Sequence, residues 1–231
     1  MTESPADPPL VLVSGPDEDG VAVITLNRPE KKNALSIALR EEVVALLGRM
    51  AGDETLKALI IAGSGGSFSA GFDLREFAVT DPGHTERLWQ SSDLFHHAVH
   101  RFPLPVIAAV DGIAYGGGFD LAILCDLRIA THRAVFAHPE AAFGPVVYGP
   151  LHDLVGGAIA RELVLTGREI DAAEALRLHL VTGLTNPDEL TDRALELARQ
   201  VSRAPREVLV RNKAKFTARS AIAPQTPTLD L

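Results

Sequence analysis

Apolar positions along the chain fall into short, β-branched runs separated by longer stretches with helical spacing. VAVITL (21–26), ALIIAG (58–63), VIAAVDG (106–112) and LRIAT (127–131) are runs of the kind that predict buried strands. After Ser36, the residues Leu39, Val43, Val44 and Leu47 recur at helical spacing, which predicts a helix capped by the serine. Residues 85–100 predict a second helix that stops before Pro103 and Pro105, and FDLAILCD (119–126) a short apolar third. Further helices are predicted over 156–166, DAAEALRLHL (171–180) and ELTDRALELARQVSR (189–203), while FAHPEAAFG (136–144) reads as a strand passing into a loop. Strands alternating with helices define an α/β chain with right-handed crossovers and largely parallel pairing.

The strand–loop–helix unit recurs about three times without a repeat of fixed period, and no linker divides the chain. Residues 1–20, rich in Pro, Asp and Gly, predict a loosely ordered entry in which VLVSG can add an edge strand. A core follows over 21–185, then a helical region over 186–215. The Pro/Thr-rich segment 216–231 is expected to be disordered.

The chain has 231 residues, of which 46% are apolar, enough for a substantial core, and a net charge of −8. That charge argues against a nucleic-acid surface, which needs clustered Lys and Arg, but leaves room for an anionic small ligand beside local cations. The start, MTESPADPPL, lacks the basic and apolar regions of a secretory signal. No apolar run approaches the ~20 residues of a membrane span. One cysteine, Cys125, permits no disulfide within the chain, and the expectation is a reduced, cytoplasmic protein.

Candidate chemistry lies in two glycine-bearing loops, GSGGSFSAGFDL (63–74) and GIAYGGGFDL (112–121), each after a predicted strand. Glycine costs a helix roughly 1 kcal/mol relative to alanine, so three in a row at a helix start need a reason. One reading is a pair of tight turns. The other is an oxyanion hole, in which main-chain N–H groups from both loops converge on one oxygen and each donor contributes ~3–4 kcal/mol. Neither loop matches the dinucleotide, phosphate-loop or nucleophile-elbow patterns. Asp120 reads either as a helix-dipole partner or as a site acid, and Glu140 either as a solvated loop carboxylate or as a second acid; two acids beside an apolar cleft suit proton transfer. The pair His96 and His100 in HHAVH has one-face helical spacing, but without a third ligand it reads as helix surface or subunit interface, and no metal site is expected.

Together these stretches resemble the enoyl-CoA hydratase/isomerase superfamily, the crotonases. VAVITLNRPEKKNALS (21–36), SFSAGFDL (67–74), PLPVIAAVDGIAYGGGFDLAILCDLRIAT (103–131), FAHPE (136–140) and LVLTGREIDAAEALRLHLV (163–181) occur in family order and at family spacing. The resemblance implies a superhelix of strand–strand–helix turns with C-terminal helices involved in trimer formation, trimers often pairing into hexamers. It implies an acyl-CoA thioester as ligand and a stabilised thioester enolate, with no metal or redox cofactor. Position by position, the oxyanion donors are the N–H groups of Phe72 and Gly117. Coenzyme A contacts carry over to Lys31, Ala70, Phe72, Asp73, Leu74 and Gly117, with Arg28, Lys32 and Arg75 as further positive charge.

In hydratases of this family two glutamates hold the attacking water. Glu140 matches the second, but Asp120 stands at the first and is one methylene shorter, by roughly 1 Å, a displacement that can cost about a hundredfold in rate. Double-bond isomerisation needs only one base, and Glu140 supplies one. Dienoyl-CoA isomerases of the superfamily carry an aspartate at the first position and another acid eight residues past the second, where this chain has Tyr148. The stretch GPVVYGPLHDLVGG is a few residues shorter than the family pattern, with His152 and Asp153 as substitutes or plain surface, and the end RNKAKFTARSAIAPQTPTLDL stops short of the usual final helices. The reading is an enoyl-CoA hydratase in which Asp120 and Glu140 orient water. The alternatives are an enoyl-CoA isomerase using Glu140, and a non-catalytic acyl-CoA binder.

Overall fold

Strands covered on both faces need continuous apolar runs rather than alternation, and those runs pair as one sheet. The structure, a computed structural model, describes residues 8–142, 144–220 and 222–231. In chain order, β1 (Val11–Ser14) and β2 (Val21–Leu26) lead into α1 (Ile37–Met50), then β3 (Ala58–Gly63), α2 (Pro82–His100), β4 (Val106–Val110) and β5 (Ile113–Tyr115). There follow α3 (Gly117–Leu124), β6 (Leu127–Thr131), β7 (Val135–Ala137), α4 (Gly149–Val155), α5 (Gly157–Thr166), β8 (Ile170–Asp171) and α6 (Ala172–Arg177). β9 (Leu184–Thr185), α7 (Leu190–Ser202) and α8 (Arg206–Arg219) complete the order. The main sheet is β1-β2-β3-β4-β6-β9, parallel except for β1, and the second is β5-β7-β8. VLVSG does add the edge strand; residues 1–7 of the expected loose entry lie outside the described residues.

One face of the main sheet packs on α1, α2 and α3. The other face is covered by α7, whose Leu190, Ala194 and Ala198 meet Ala58, Ile60, Ile107 and Ala109. α1 is held at its start from two sides: Ser36 Oγ accepts from Leu39 N at 3.3 Å, and the Glu76 carboxylate accepts from Ile37 N at 2.9 Å. For the site, the decisive pairing is β3 with β4, Leu59 to Ala62 against Val106 to Ala109. Both glycine loops therefore leave the same end of the sheet, beyond the C-termini of neighbouring strands.

Two expectations are corrected. α8 runs on to Arg219, and the segment after it, expected to be disordered, packs against α2: Thr228 Oγ1 is within 3.0 Å of both Ser92 Oγ and His96 Nδ1, and His97 Nε2 lies 2.8 Å from the Thr226 carbonyl. The Leu231 carbonyl accepts from Tyr148 N and Gly149 N, tying the end of the chain to the start of α4. Polar pairing, which composition does not reveal, anchors this stretch. The HHAVH histidines are accordingly not surface: His96 is fully buried, and His100 is half-buried against Ser220 Oγ at 3.0 Å.

Thr228→Val strands two buried polar atoms on α2. It is expected to cost about 2 kcal/mol, roughly 4–8 °C in melting temperature for a chain of this size, read by calorimetry. Burial pulls the imidazoles of His96 and His100 down to about 4, helped at His100 by Lys213 and Arg101. The unfolded chain takes up these protons near pH ~6.5. Their contribution is therefore neutral above that pH and destabilises the fold progressively as pH falls toward 4. The melting temperature is expected to drop across that window, and to drop less in His100→Gln.

Candidate active site

Each glycine of the triplet has its own neighbour. A Cβ on Gly116 would fall 2.9 Å from Oε1 of Glu140, one on Gly117 would fall 2.9 Å from the Phe72 ring, and one on Gly118 would fall 2.5 Å from the Ser69 carbonyl. Gly71 faces back, its Cβ position 3.1 Å from Gly117 N. The two loops thus touch main chain to main chain, a contact that side chains would prevent. They are stitched as well: Tyr115 N donates to the Ser69 carbonyl at 2.9 Å, Leu35 N to the Gly71 carbonyl at 2.8 Å, and Ser69 Oγ to the Asn33 carbonyl at 2.8 Å. Buried Asn33 donates from its side-chain amide to the carbonyls of Ser64 and Ser67. Among the described residues, neither Phe72 N–H nor Gly117 N–H has an acceptor. Two free donors from facing loops can serve one incoming oxygen.

Phe72 is itself braced. Its ring lies under the Arg40 guanidinium, 4.7 Å from ring centre to carbon, and near Phe77 and His96 at 6.3 and 6.1 Å between centroids. Arg40 is fully buried and spends its donors on the carbonyls of Leu35 and Leu88 and on Ser91 Oγ. A charged group with that many fixed bonds cannot drift, and the ring it covers is held with it.

The acids converge. Asp120, in the first turn of α3, and Glu140, just beyond β7, meet with His138 between them: one polar atom from each lies within 4.8 Å of the other two. His138 Nε2 is 2.8 Å from Asp120 Oδ1, and both side chains are buried. Burial presses the His138 imidazole toward neutrality, but the charge of Asp120, its hydrogen bond and the charge of Glu140 outweigh that and leave the pKa raised. Burial also raises the Glu140 carboxyl; His138 opposes that rise and Asp120 adds to it. The three carry donor atoms of the kind a divalent ion takes, but an ion would have to displace the Nε2–Oδ1 hydrogen bond.

At the rim, Asp73 pairs with Arg28 at 3.0 Å, which takes that cation out of the free pool, while Leu74 and Arg75 are exposed and Lys31 is half-exposed. Ala70 N donates to the Lys32 carbonyl, placing Ala70 beside the lysine turn. Lys31, Lys32 and Arg75 form no ion pair among the described residues. His152 and Asp153 sit exposed on α4, 3.4 Å from each other, and belong to the surface. The Cys125 thiol is buried and pushed up to about 12, which leaves no nucleophile there.

A profile of the family Enoyl-CoA hydratase/isomerase matches residues 17–229. The chain belongs to the enoyl-CoA hydratase/isomerase family. It is 38% identical over 194 residues to a short-chain-enoyl-CoA hydratase of Clostridium acetobutylicum, covering 81% of this chain and 74% of the relative. It is 34% identical over 205 residues to a 4-chlorobenzoyl coenzyme A dehalogenase-2 of an Arthrobacter species, covering 84% and 74%. The crystal structure of an enoyl-CoA hydratase of Mycobacterium smegmatis superposes with a TM-score of 0.84 at 35% identity, covering 94% of this chain and 85% of that one. The structural match bears out the crotonase-like fold expected from the sequence.

Residues that sequence reasoning passed over are His138, Arg40, Asn33 and Ser69. His138 stood inside the quoted FAHPE, two positions before the acid, where the strand-to-loop passage already placed it beside the chemistry. Nothing in pattern or spacing singled out the other three.

Gly116 has φ +52° and ψ −126°, a conformation open to glycine alone. Gly116→Ala is expected to cost about 1–3 kcal/mol in backbone strain, a fall of several degrees in melting temperature, and to push the Glu140 carboxylate aside. Calorimetry together with a crystal structure of the variant checks both.

Proposed function

We propose that the protein is an enoyl-CoA hydratase, adding water across the 2,3 double bond of an enoyl-CoA thioester. The observation that carries this reading is the pair of free N–H groups at Phe72 and Gly117, beside a carboxylate that lies against Gly116. The thioester oxygen takes both donors, which draws electron density from the double bond and favours attack at carbon 3. Glu140, ionised at the outset, takes a proton from water as the oxygen bonds to carbon 3; the π electrons move onto the thioester oxygen as an enolate. The enolate then collapses, carbon 2 takes that proton from Glu140, and the carboxylate is restored. Asp120 accepts the water's other hydrogen and orients it. Lys31, Ala70, Asp73 and Leu74 form the rim against which the coenzyme A portion lies, with Lys32 and Arg75 for its phosphates. Coenzyme A enters as part of the substrate, and the proposed steps draw on no further cofactor.

A homotrimer, or a hexamer of paired trimers, completes the reading. It is supported by the family resemblance and by half-exposed Phe216 of α8, at the mouth of an apolar hollow of about 530 Å³ lined by Ile123, Leu154, Leu209 and Ile222. No described helix is long and apolar enough to cross a membrane, and a cytoplasmic location is proposed with it.

One observation favours a second reading. His138 engages Asp120, so Glu140 is the only member of the trio without a side-chain partner among the described residues, and a lone base suffices for double-bond isomerisation. Incubation with crotonyl-CoA and with a 3-enoyl-CoA separates the readings by mass. Gain of water supports hydration; an unchanged mass with a shifted double bond supports isomerisation; no change with either contradicts catalysis. Glu140→Gln is expected to reduce turnover about 10³-fold while leaving acyl-CoA binding within about threefold by calorimetric titration. Because burial raises the Glu140 carboxyl, the acid limb of kcat/KM is expected above the ordinary ~4.3 of a glutamate, with the rate falling as pH falls through it.

A further inference from the structure

Asp120 is buried, Glu140 is half-buried beside it, and a polar atom of each lies within 4.8 Å of the other. Two carboxylates that close are helped to stay ionised by a compensating donor or cation. His138 is placed to be that group. We propose that His138 is a positioning residue of the acid–base site: through its hydrogen bond to Oδ1 of Asp120 it holds that carboxylate in place to orient water, leaving Glu140 as the one group that takes and returns a proton. This deepens the hydratase reading and rests on it.

The geometry gives three supports. First, the bond joins two elements, the first turn of α3 and the end of β7, at 2.8 Å with both side chains buried, so it is shielded from water. Second, the imidazole is locked. It lies against the Phe119 ring with 4.7 Å between centroids, and Phe119 in turn packs on Phe136 at 5.5 Å. His138 Nδ1 is buried without a partner among the described residues, so the bond to Asp120 is the polar contact that sets the ring's orientation. Third, with Oδ1 occupied, Asp120 has Oδ2 left to accept one hydrogen of a water molecule. A carboxylate fixed in this way, with one oxygen free, is placed to orient water. This also answers the missing methylene: the shorter side chain is not free to sample, so its reach is set by the histidine. The charges acting on His138 are Asp120 from α3 and Glu140 from its own turn.

The test has a substrate-free arm and a kinetic arm. In ¹⁵N-labelled protein, with the His138 ring identified by its loss in His138→Gln, its titration midpoint is expected above the ~6.5 of a free histidine and to fall in Asp120→Asn. A midpoint at or below 6.5, or one that Asp120→Asn leaves unmoved, overturns the proposal. In the kinetic arm, His138→Leu is expected to lower kcat about a hundredfold with KM within threefold, and His138→Gln, which keeps a donor but no charge, to recover most of that loss. The acid limb of kcat/KM should move to higher pH in His138→Gln, because Glu140 loses the cation that stabilises its ionised form. A His138→Leu enzyme within twofold of the parent kcat, or an acid limb unmoved in His138→Gln, overturns the proposal. So does loss of turnover on chelation with restoration by a divalent ion, since the trio would then be ligands. Protein that hydrates nothing yet shows the paired titration contradicts the hydratase reading alone.

Discussion

Main chain meets main chain where the loops after β3 and β4 come together, and the site depends on that contact. Parallel pairing of the two strands brings the loops to one end of the sheet, but pairing alone would leave side chains between them. The absence of Cβ atoms at Gly71, Gly117 and Gly118 closes the gap, and the bonds of Tyr115 N to the Ser69 carbonyl and of Ser69 N to the Ile113 carbonyl hold it closed. The result is two N–H groups, at Phe72 and Gly117, without acceptors among the described residues. Leaving donors unpaired costs stability, and under the proposed function a substrate oxygen would recover that cost.

The surroundings keep those donors still. Arg40 covers the Phe72 ring and is itself fixed by carbonyls of two elements, while His96, beneath the same ring, is fastened to Thr228. The chain's last residues therefore brace the helix that packs on Phe72. Among the described residues, Lys31, Lys32 and Arg75 form no ion pair in this acidic protein. Asp120, His138 and Glu140 bring polar atoms within 4.8 Å of one another, with the histidine bonded to the aspartate.

Much of this was legible in the chain. Continuous apolar runs marked β2, β3, β4 and β6 to within a residue or two because strands buried on both faces leave no alternation to misread, and Ser36 announced α1 by its capping chemistry. The glycine triplet signalled close approach, and family resemblance assigned it a purpose that composition could not. Asp120 and Glu140, singled out by their loops, lie close together in the fold. What stayed hidden was pairing: Asn33, Ser69 and Arg40 act through hydrogen bonds to carbonyls distant in sequence, and such partners leave no periodic trace. The final segment misled for a related reason. Its Pro/Thr composition resembles disorder, yet Thr228 docks through two buried polar contacts and Leu231 is buried in the core.

The most direct measurement is a crystal structure with an acyl-CoA thioester bound. The account expects the thioester oxygen about 2.7–3.1 Å from the main-chain nitrogens of both Phe72 and Gly117, with the Glu140 carboxylate beside carbon 2. A thioester oxygen bonded to neither nitrogen, or an acyl group lodged away from Asp120, His138 and Glu140, would contradict it.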